Sequence, residues 1–250
     1  PRPHGHHALA FTPRFLSKER VVDTDVKTLH VRRTDGSLHT YEVAVGRYTT
    51  LLDSLEEVRT HQDTGPMYRH SCHHGSCATC GMIVNGERRL ACLTPLSEYD
   101  GPVTVEPLTP FPVRGDLAID PAPLYADFPD EASYLRESEA NPEAEVPPEV
   151  AGFTRFENCI ECGLCVSACP VQQRFMGPAA LAAYGRELEK HPEREDELLP
   201  QIDTPQGVWG CDRALNCSQV CPLGVYPAKH IAVLQRKIQG RNQADAGSAD

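Results

Sequence analysis

Cys159-Ile-Glu-Cys162-Gly-Leu-Cys165-Val-Ser-Ala-Cys169-Pro170 is the stretch from which the rest of the chain is read. Its spacing, C-x2-C-x2-C-x3-C-P, lets three thiolates close around one iron–sulfur cubane while the fourth, Cys169, points toward a second. Further along, Cys211-Asp-Arg-Ala-Leu-Asn-Cys217-Ser-Gln-Val-Cys221-Pro222 repeats the motif when the two are aligned on their Cys-Pro ends. In that alignment Ala214 stands where the middle cysteine belongs.

The missing thiol carries information. In two-cluster ferredoxins each run gives three ligands to one cluster and its last cysteine to the other. By that rule Cys159, Cys162, Cys165 and Cys221 form a complete set for [4Fe–4S], and Cys169, Cys211 and Cys217 form a set of three. An iron that meets the Ala214 methyl has no thiolate and is easily lost. The species expected there is [3Fe–4S], which is easier to reduce because cluster type and net charge help to set potential.

A third group lies upstream, Cys72-His-His-Gly-Ser-Cys77-Ala-Thr-Cys80-Gly81, with Cys92 beyond it. C-x4-C-x2-C followed by a distant cysteine is plant-type [2Fe–2S] spacing. Gly75 and Gly81 are expected to adopt backbone conformations closed to other residues, turning N–H groups toward the sulfurs. Around the loop, alternating residues 28–32 and 38–45 meet at Asp35-Gly36 and predict a hairpin, and apolar residues 51, 52, 55 and 58 predict a helix. Asn85-Gly86 predicts a second hairpin that returns Cys92 to the loop, and 101–107 a last strand. Hairpin, helix and cysteine loop in this order make a β-grasp. A Rieske centre would need a second Cys-x-His, and Cys92 is followed by Leu-Thr-Pro. Zinc is the alternative metal for Cys77 and Cys80, and this glycine-rich C-x4-C-x2-C suits it poorly. His73 and His74 are read as polar loop residues.

Eleven cysteines divide into sets of four, four and three with none left over. Disulfides are the competing use of so many, and the regular spacing argues against them. A net charge of −11 excludes a nucleic-acid partner held through phosphates. No run of eighteen apolar residues is present, so no span of a bilayer is predicted, and no secretory signal is read at the N-terminus. Two domains are expected from 250 residues. The fold class is α+β, with an N-terminal β-grasp plant-type ferredoxin domain and a C-terminal all-helical domain like a bacterial ferredoxin. The expected divisions are 1–24 as an N-terminal arm, 25–125 as the [2Fe–2S] domain and 126–150 as an acidic, proline-rich linker. Residues 151–240 form the helical domain, with predicted helices over 178–191 and 225–240, and 241–250 a disordered tail.

These motifs in order, with Phe156-Glu-Asn-Cys-Ile-Glu-Cys-Gly-Leu-Cys and Gly177-Pro-Ala-Ala-Leu between them, resemble the iron–sulfur subunit of succinate dehydrogenase and fumarate reductase over roughly residues 25–240. The resemblance implies [2Fe–2S], [4Fe–4S] and [3Fe–4S] clusters passing electrons from FAD on a flavoprotein subunit to quinone at an integral membrane anchor. It further implies a chain without a substrate site of its own, held peripherally on the cytoplasmic or matrix face of an energy-transducing membrane. Succinate dehydrogenase is the function expected, with fumarate reductase, running in the opposite direction, as the alternative. The better-known ubiquinone-using members carry Trp shortly after the first Cys-Pro and His after the first cysteine of the second run. Here those positions hold Arg174, beside Gln172 and Gln173, and Asp212. No quinone contact is therefore assigned, and a menaquinone-linked complex or a different anchor is the corresponding expectation.

Overall fold

The computed structural model describes residues 25–130, 159–171 and 173–247. The N-terminal arm and residues 131–150 of the linker lie outside them. Strands β1 (Asp25–Arg32) and β2 (Leu38–Val45) pair antiparallel, Leu29 facing Tyr41. Helix α1 (Leu51–His61) follows, then β3 (Gly81–Val84), β4 (Glu87–Leu90) and β5 (Val103–Glu106). The sheet order is β2-β1-β5-β3-β4, with β1 parallel to β5 and its other pairs antiparallel. This is the β-grasp arrangement. Strands β6 (Val113–Gly115) and β7 (Ala118–Ile119) form a small separate hairpin.

Each element has a local cause. Leu29, Val31, Val43 and Val45 are buried at alternate positions, as a sheet covered on one face requires. Leu51, Leu52, Leu55 and Val58 turn one stripe of α1 onto that face. The helix starts with a reciprocal cap, in which the Asp53 N–H donates to Thr50 Oγ1 at 3.1 Å and the Thr50 N–H to Asp53 Oδ2 at 2.9 Å. Asn85 and Gly86 have φ of 47° and 85°, the left-handed pair that a two-residue hairpin turn needs.

One buried carboxylate ties the loops together. Asp116, between β6 and β7, accepts from the Thr34 N–H at 2.8 Å, the Thr34 hydroxyl at 2.9 Å and the Met67 N–H at 2.9 Å. Arg33 Nε stands 3.2 Å from it. Burial pushes this carboxyl up, but the Met67 and Thr34 donors and Arg33 outweigh it and hold it below its ordinary value. Met67 opens the segment that leads into Cys72, so the end of β1 and the cysteine loop share one anchor.

The C-terminal part is helical: α2 (Leu164–Ser167), α3 (Gly177–Lys190), α4 (Glu195–Ile202), α5 (Asn216–Gln219) and α6 (Pro227–Gly247). Leu181, Tyr184 and Leu188 of α3 pack with Leu198, Leu199 and Ile202 of α4 and with Ile231, Leu234 and Ile238 of α6. Helix α3 carries Pro178 in its first turn, where the missing N–H has no partner to lose. Helix α6 runs through Gly240 to Gly247, so residues 241–247 of the expected disordered tail are helical, and 248–250 lie outside the described residues. Arg241 pairs with Asp196 at 2.7 Å, and Lys237 with Glu195, so two ion pairs to α4 straddle the glycine. A mid-helix glycine costs only about 1 kcal/mol relative to alanine. Helix α4 escaped the sequence reading because Pro192 and Pro200 interrupt its pattern.

The helical part docks on the sheet through two close approaches. A Cβ on Gly81 would stand 2.9 Å from Leu108 Cδ1 and 3.3 Å from the Cys162 carbonyl oxygen. One on Gly163 would stand 2.9 Å from the Phe111 ring. Between them, Arg88 Nε of β4 donates to the Ser167 carbonyl of α2 at 3.2 Å.

Replacing Asp116 with asparagine takes one of two carboxylates from Arg33, which keeps Asp63 at 3.0 Å, and weakens the charged acceptor of the Thr34 and Met67 N–H groups, so urea unfolding at neutral pH is expected to give a loss of about 1–2 kcal/mol. Because the folded carboxyl lies below its unfolded value of about 3.9, the wild-type advantage is complete above that pH. It disappears as acid titrates through the lower folded value, so the two proteins converge in stability once the pH is below that value.

Candidate metal centres

The first cysteine group is built by a loop folded over its own sulfurs. His73, Gly75 and Ala78 have φ of 60°, 80° and 63°. These left-handed residues aim successive N–H groups inward. Cys72 Sγ accepts from the His74 N–H at 3.4 Å and the Ser76 N–H at 3.2 Å, and Cys77 Sγ accepts from the Cys72 N–H at 3.4 Å. Those donors, with His74 foremost, bring the Cys72 thiol down to about 6. On the opposite side, Cys80 Sγ and Cys92 Sγ are 3.3 Å apart, each residue 3–5% exposed. Cys92 is carried there by the β3–β4 hairpin, since the Ala91 N–H bonds the Cys80 carbonyl at 2.9 Å. Burial pushes the Cys80 thiol up to about 12. One half of this site is thus half-exposed and rich in donors, and the other half is enclosed.

The sequence reading gave Gly75 and Gly81 one role, and the structure separates them. Gly75 has positive φ, whereas Gly81 lies in β3 and serves the close approach to Cys162. His73 Nε2 lies 3.2 Å from His70 Nδ1.

The two later runs adopt the same backbone. Counting back from the Cys-Pro cysteine, Glu161 and Arg213 occupy equivalent positions with φ of 57°, as do Gly163 and Leu215 with 76° and 64°. Both runs then enter a four-residue helix, α2 or α5, at equivalent residues. Cys162 and Ala214 sit between each pair of left-handed residues. The backbone thus puts Ala214 at the position equivalent to Cys162.

Two chambers receive the sulfurs. One is lined by Cys159, Cys162, Cys165 and Cys221 together with Leu124, Phe128, Ala179, Ala182 and Val225. Its walls are apolar, and burial pushes Cys162 up to about 12 and Cys165 well above its ordinary value. The Val225 N–H donates to Cys221 Sγ at 3.3 Å. The other chamber is lined by Cys169, Cys211, Cys217 and Ala214, with Phe175, Pro178, Asp212 and Ile231 around them. Asn216 Nδ2 donates to the Ala168 carbonyl at 3.3 Å and ties the runs together. Free thiols enclosed in this way resist ionisation, so the chambers favour an occupant that binds thiolate and spreads its charge.

Among the described residues no three Cys, His, Asp or Glu side chains converge at the distances of a single metal ion. A cluster does not require it, because each thiolate meets its own iron at a separate corner. The residues that depart from the ubiquinone-using pattern are also placed. Arg174 is largely exposed, 3.8 Å from Asp127, while Asp212 lines the third site. Sequence reasoning missed the left-handed residues Glu161, Arg213 and Leu215, none of which is glycine, and the buried Arg186 of α3.

The comparisons with known proteins agree with this layout. The family described as "2Fe-2S iron-sulfur cluster binding domain" matches residues 25–126, and "4Fe-4S dicluster domain" matches residues 155–225. A fumarate reductase iron–sulfur subunit from Mycobacterium tuberculosis is 37% identical over 75% of this chain and 80% of the relative. A succinate dehydrogenase iron–sulfur subunit from Coxiella burnetii is 34% identical over 75% of this chain and 83% of the relative. Among solved structures, a chain of the Mycobacterium smegmatis Sdh1 complex in the apo form superposes with a TM-score of 0.70 at 27% identity, covering 87% of this chain and 97% of that one. Identity at this level over most of both sequences makes the chain a member of the succinate dehydrogenase and fumarate reductase iron–sulfur subunit family, an electron-transfer component of an oxidoreductase complex.

Proposed function

We propose that this chain is the iron–sulfur subunit of a membrane-associated succinate dehydrogenase, seated between an FAD-containing flavoprotein and an integral anchor that binds quinone. Its place is peripheral, on the cytoplasmic or matrix face. In support, no helix among the described residues is long and apolar enough to cross a membrane. The observation that carries the reading is the pooling of eleven cysteines into a surface loop and two chambers, one of them faced by Ala214.

Cys72, Cys77, Cys80 and Cys92 would hold [2Fe–2S]. Cys159, Cys162, Cys165 and Cys221 would hold [4Fe–4S], and Cys169, Cys211 and Cys217 would hold [3Fe–4S]. When bound, these groups supply one-electron transfer without proton or group transfer. The remaining chemistry belongs to the chain. The His74, Ser76 and Val225 N–H groups aim at sulfur and offset its negative charge. Leu124, Phe128 and Val225 keep water from the chamber of Cys159, Cys162, Cys165 and Cys221. Ala214 presents a methyl where a fourth thiolate would bind iron. In this reading residues 25–125 carry the first site and 151–240 the other two, with 126–150 as the linker between them.

The reverse direction, fumarate reduction, has its own support in the name of the Mycobacterium tuberculosis relative. Steady-state rates of the purified complex decide between them. Succinate oxidation with added quinone should exceed fumarate reduction with the matching quinol at equal enzyme, and the opposite ratio would favour the second reading.

Low-temperature EPR of the as-isolated complex should show a near-isotropic oxidised [3Fe–4S] signal, with a [2Fe–2S] signal after reduction. Cys162→Ser should remove or alter the [4Fe–4S] signal while leaving the [3Fe–4S] signal in place. Retention of an unchanged [4Fe–4S] spectrum would overturn the ligand set. Ala214→Cys should convert [3Fe–4S] to [4Fe–4S] and lower the potential of that site. An unchanged oxidised spectrum in this variant would overturn the register that places Ala214 opposite the missing thiol.

A further inference from the structure

Helix α3 has two working faces. Leu181, Tyr184 and Leu188 pack into the core shared with α4 and α6. At about 100° per residue, Ala179, Ala182 and Arg186 fall within one narrow stripe on another side. Ala179 and Ala182 line the chamber of Cys159, Cys162, Cys165 and Cys221, and Ala182 packs against Cys159 and Cys221. Arg186 lies one turn further along that stripe and is only 3% exposed. Its neighbour Glu187 pairs with Arg194.

A guanidinium stays protonated at any pH a folded protein meets, so this is a fixed positive charge in a low-dielectric setting. The Arg186 side chain starts one helical turn from Ala182, which packs with Cys159 and Cys221, and a helical side chain leans back over the turn that precedes it. One-electron reduction of the bound cluster adds one negative charge and makes or breaks no bond. A nearby buried cation stabilises the reduced form more than the oxidised form, and solvent does little to screen it.

We propose that Arg186 is the residue that raises the reduction potential of the cluster held by Cys159, Cys162, Cys165 and Cys221. The proposal rests on that ligand set, and it makes Arg186 a positioning charge that tunes a centre without ligating it. The small residues Ala179 and Ala182 belong to the same device, since they bring the helix close enough for a charge one turn away to act.

The test is an EPR-monitored redox titration of the assembled complex carrying Arg186→Gln, Arg186→Met or Arg186→Lys. Both neutral variants should disfavour [4Fe–4S] reduction by about tenfold, which is 59 mV for one electron. The [2Fe–2S] and [3Fe–4S] potentials should stay in place, and Arg186→Lys should retain most of the wild-type value. An unshifted [4Fe–4S] potential in either neutral variant would overturn the proposal. So would equal shifts at all three centres, or a lysine variant that falls as far as glutamine, because either result marks general loosening. Loss of the cluster from both neutral variants with retention in lysine would assign the charge to holding the cluster, and would also overturn it. Failure of the ligand set itself is seen separately, as an unchanged [4Fe–4S] spectrum in Cys162→Ser.

Discussion

A thiolate brought into a protein interior is a negative charge without water, and the backbone around it has to answer that charge. The cheapest answer is an N–H group turned toward sulfur, because every residue but proline carries one. Turning consecutive N–H groups the same way requires left-handed residues, and these are costly for any side chain larger than glycine. The chain accepts that cost at His73, Ala78, Glu161, Arg213 and Leu215, all of them in cysteine loops. The rest of the fold serves to hold those loops where they are.

Each loop is held by a different device. Asp116 grips Thr34 and Met67, so the approach to Cys72 is fixed to the end of β1 by a carboxylate that would be expensive to strand. The β3–β4 hairpin delivers Cys92 against Cys80. In the helical part, Asn216 bonds the Ala168 carbonyl across the two runs, and Arg213 donates to Gln235 of α6 at 2.8 Å. Gln235 in turn donates to the Val208 carbonyl at 2.7 Å, so the turn that presents Ala214 is braced from both sides. A loop pinned in this way can keep strained dihedrals that an isolated peptide would relax.

The cysteine spacing, the Asn85-Gly86 turn and the apolar stripe of α1 were legible because they are local: each depends on residues a few positions apart. The register of the second run against the first was legible for the same reason, since Ala214 is identified by counting back from Cys221. What sequence could not supply depends on contacts between distant segments. Gly81 looked like a backbone requirement, and its reason is Cys162 on another element. Helix α6 was expected to stop at Gly240, and it continues because Arg241 and Lys237 find carboxylates on α4, a helix that itself had gone unread. Arg186 reads as one more charged residue on a helix until the fold buries it beside the alanines that face a chamber.

The order of the three sites follows from packing more than from any one motif. The loop site has an enclosed edge, Cys80 and Cys92, and Gly81 leaves that edge against the Cys162 backbone. A bulkier residue at 81 would wedge the first site from the second. The second and third sites cannot be separated at all, because the cysteine that ends each run turns into the other run's neighbourhood: Cys221 lines the chamber of Cys159, Cys162 and Cys165, and Cys169 lines that of Cys211 and Cys217. Covalent continuity along α2 and α5 therefore fixes the spacing of those two centres as rigidly as the helices themselves, whereas the step from the first to the second rests on the fit of two glycines, Gly81 and Gly163, against the side chains of Leu108 and Phe111. The Cβ positions that Gly81 and Gly163 leave empty let the two halves meet closely at that seam. That closeness explains why small residues are placed where the two halves meet, and why the bulky side chains that seal the seam, Leu108, Phe111 and Leu164, are all buried.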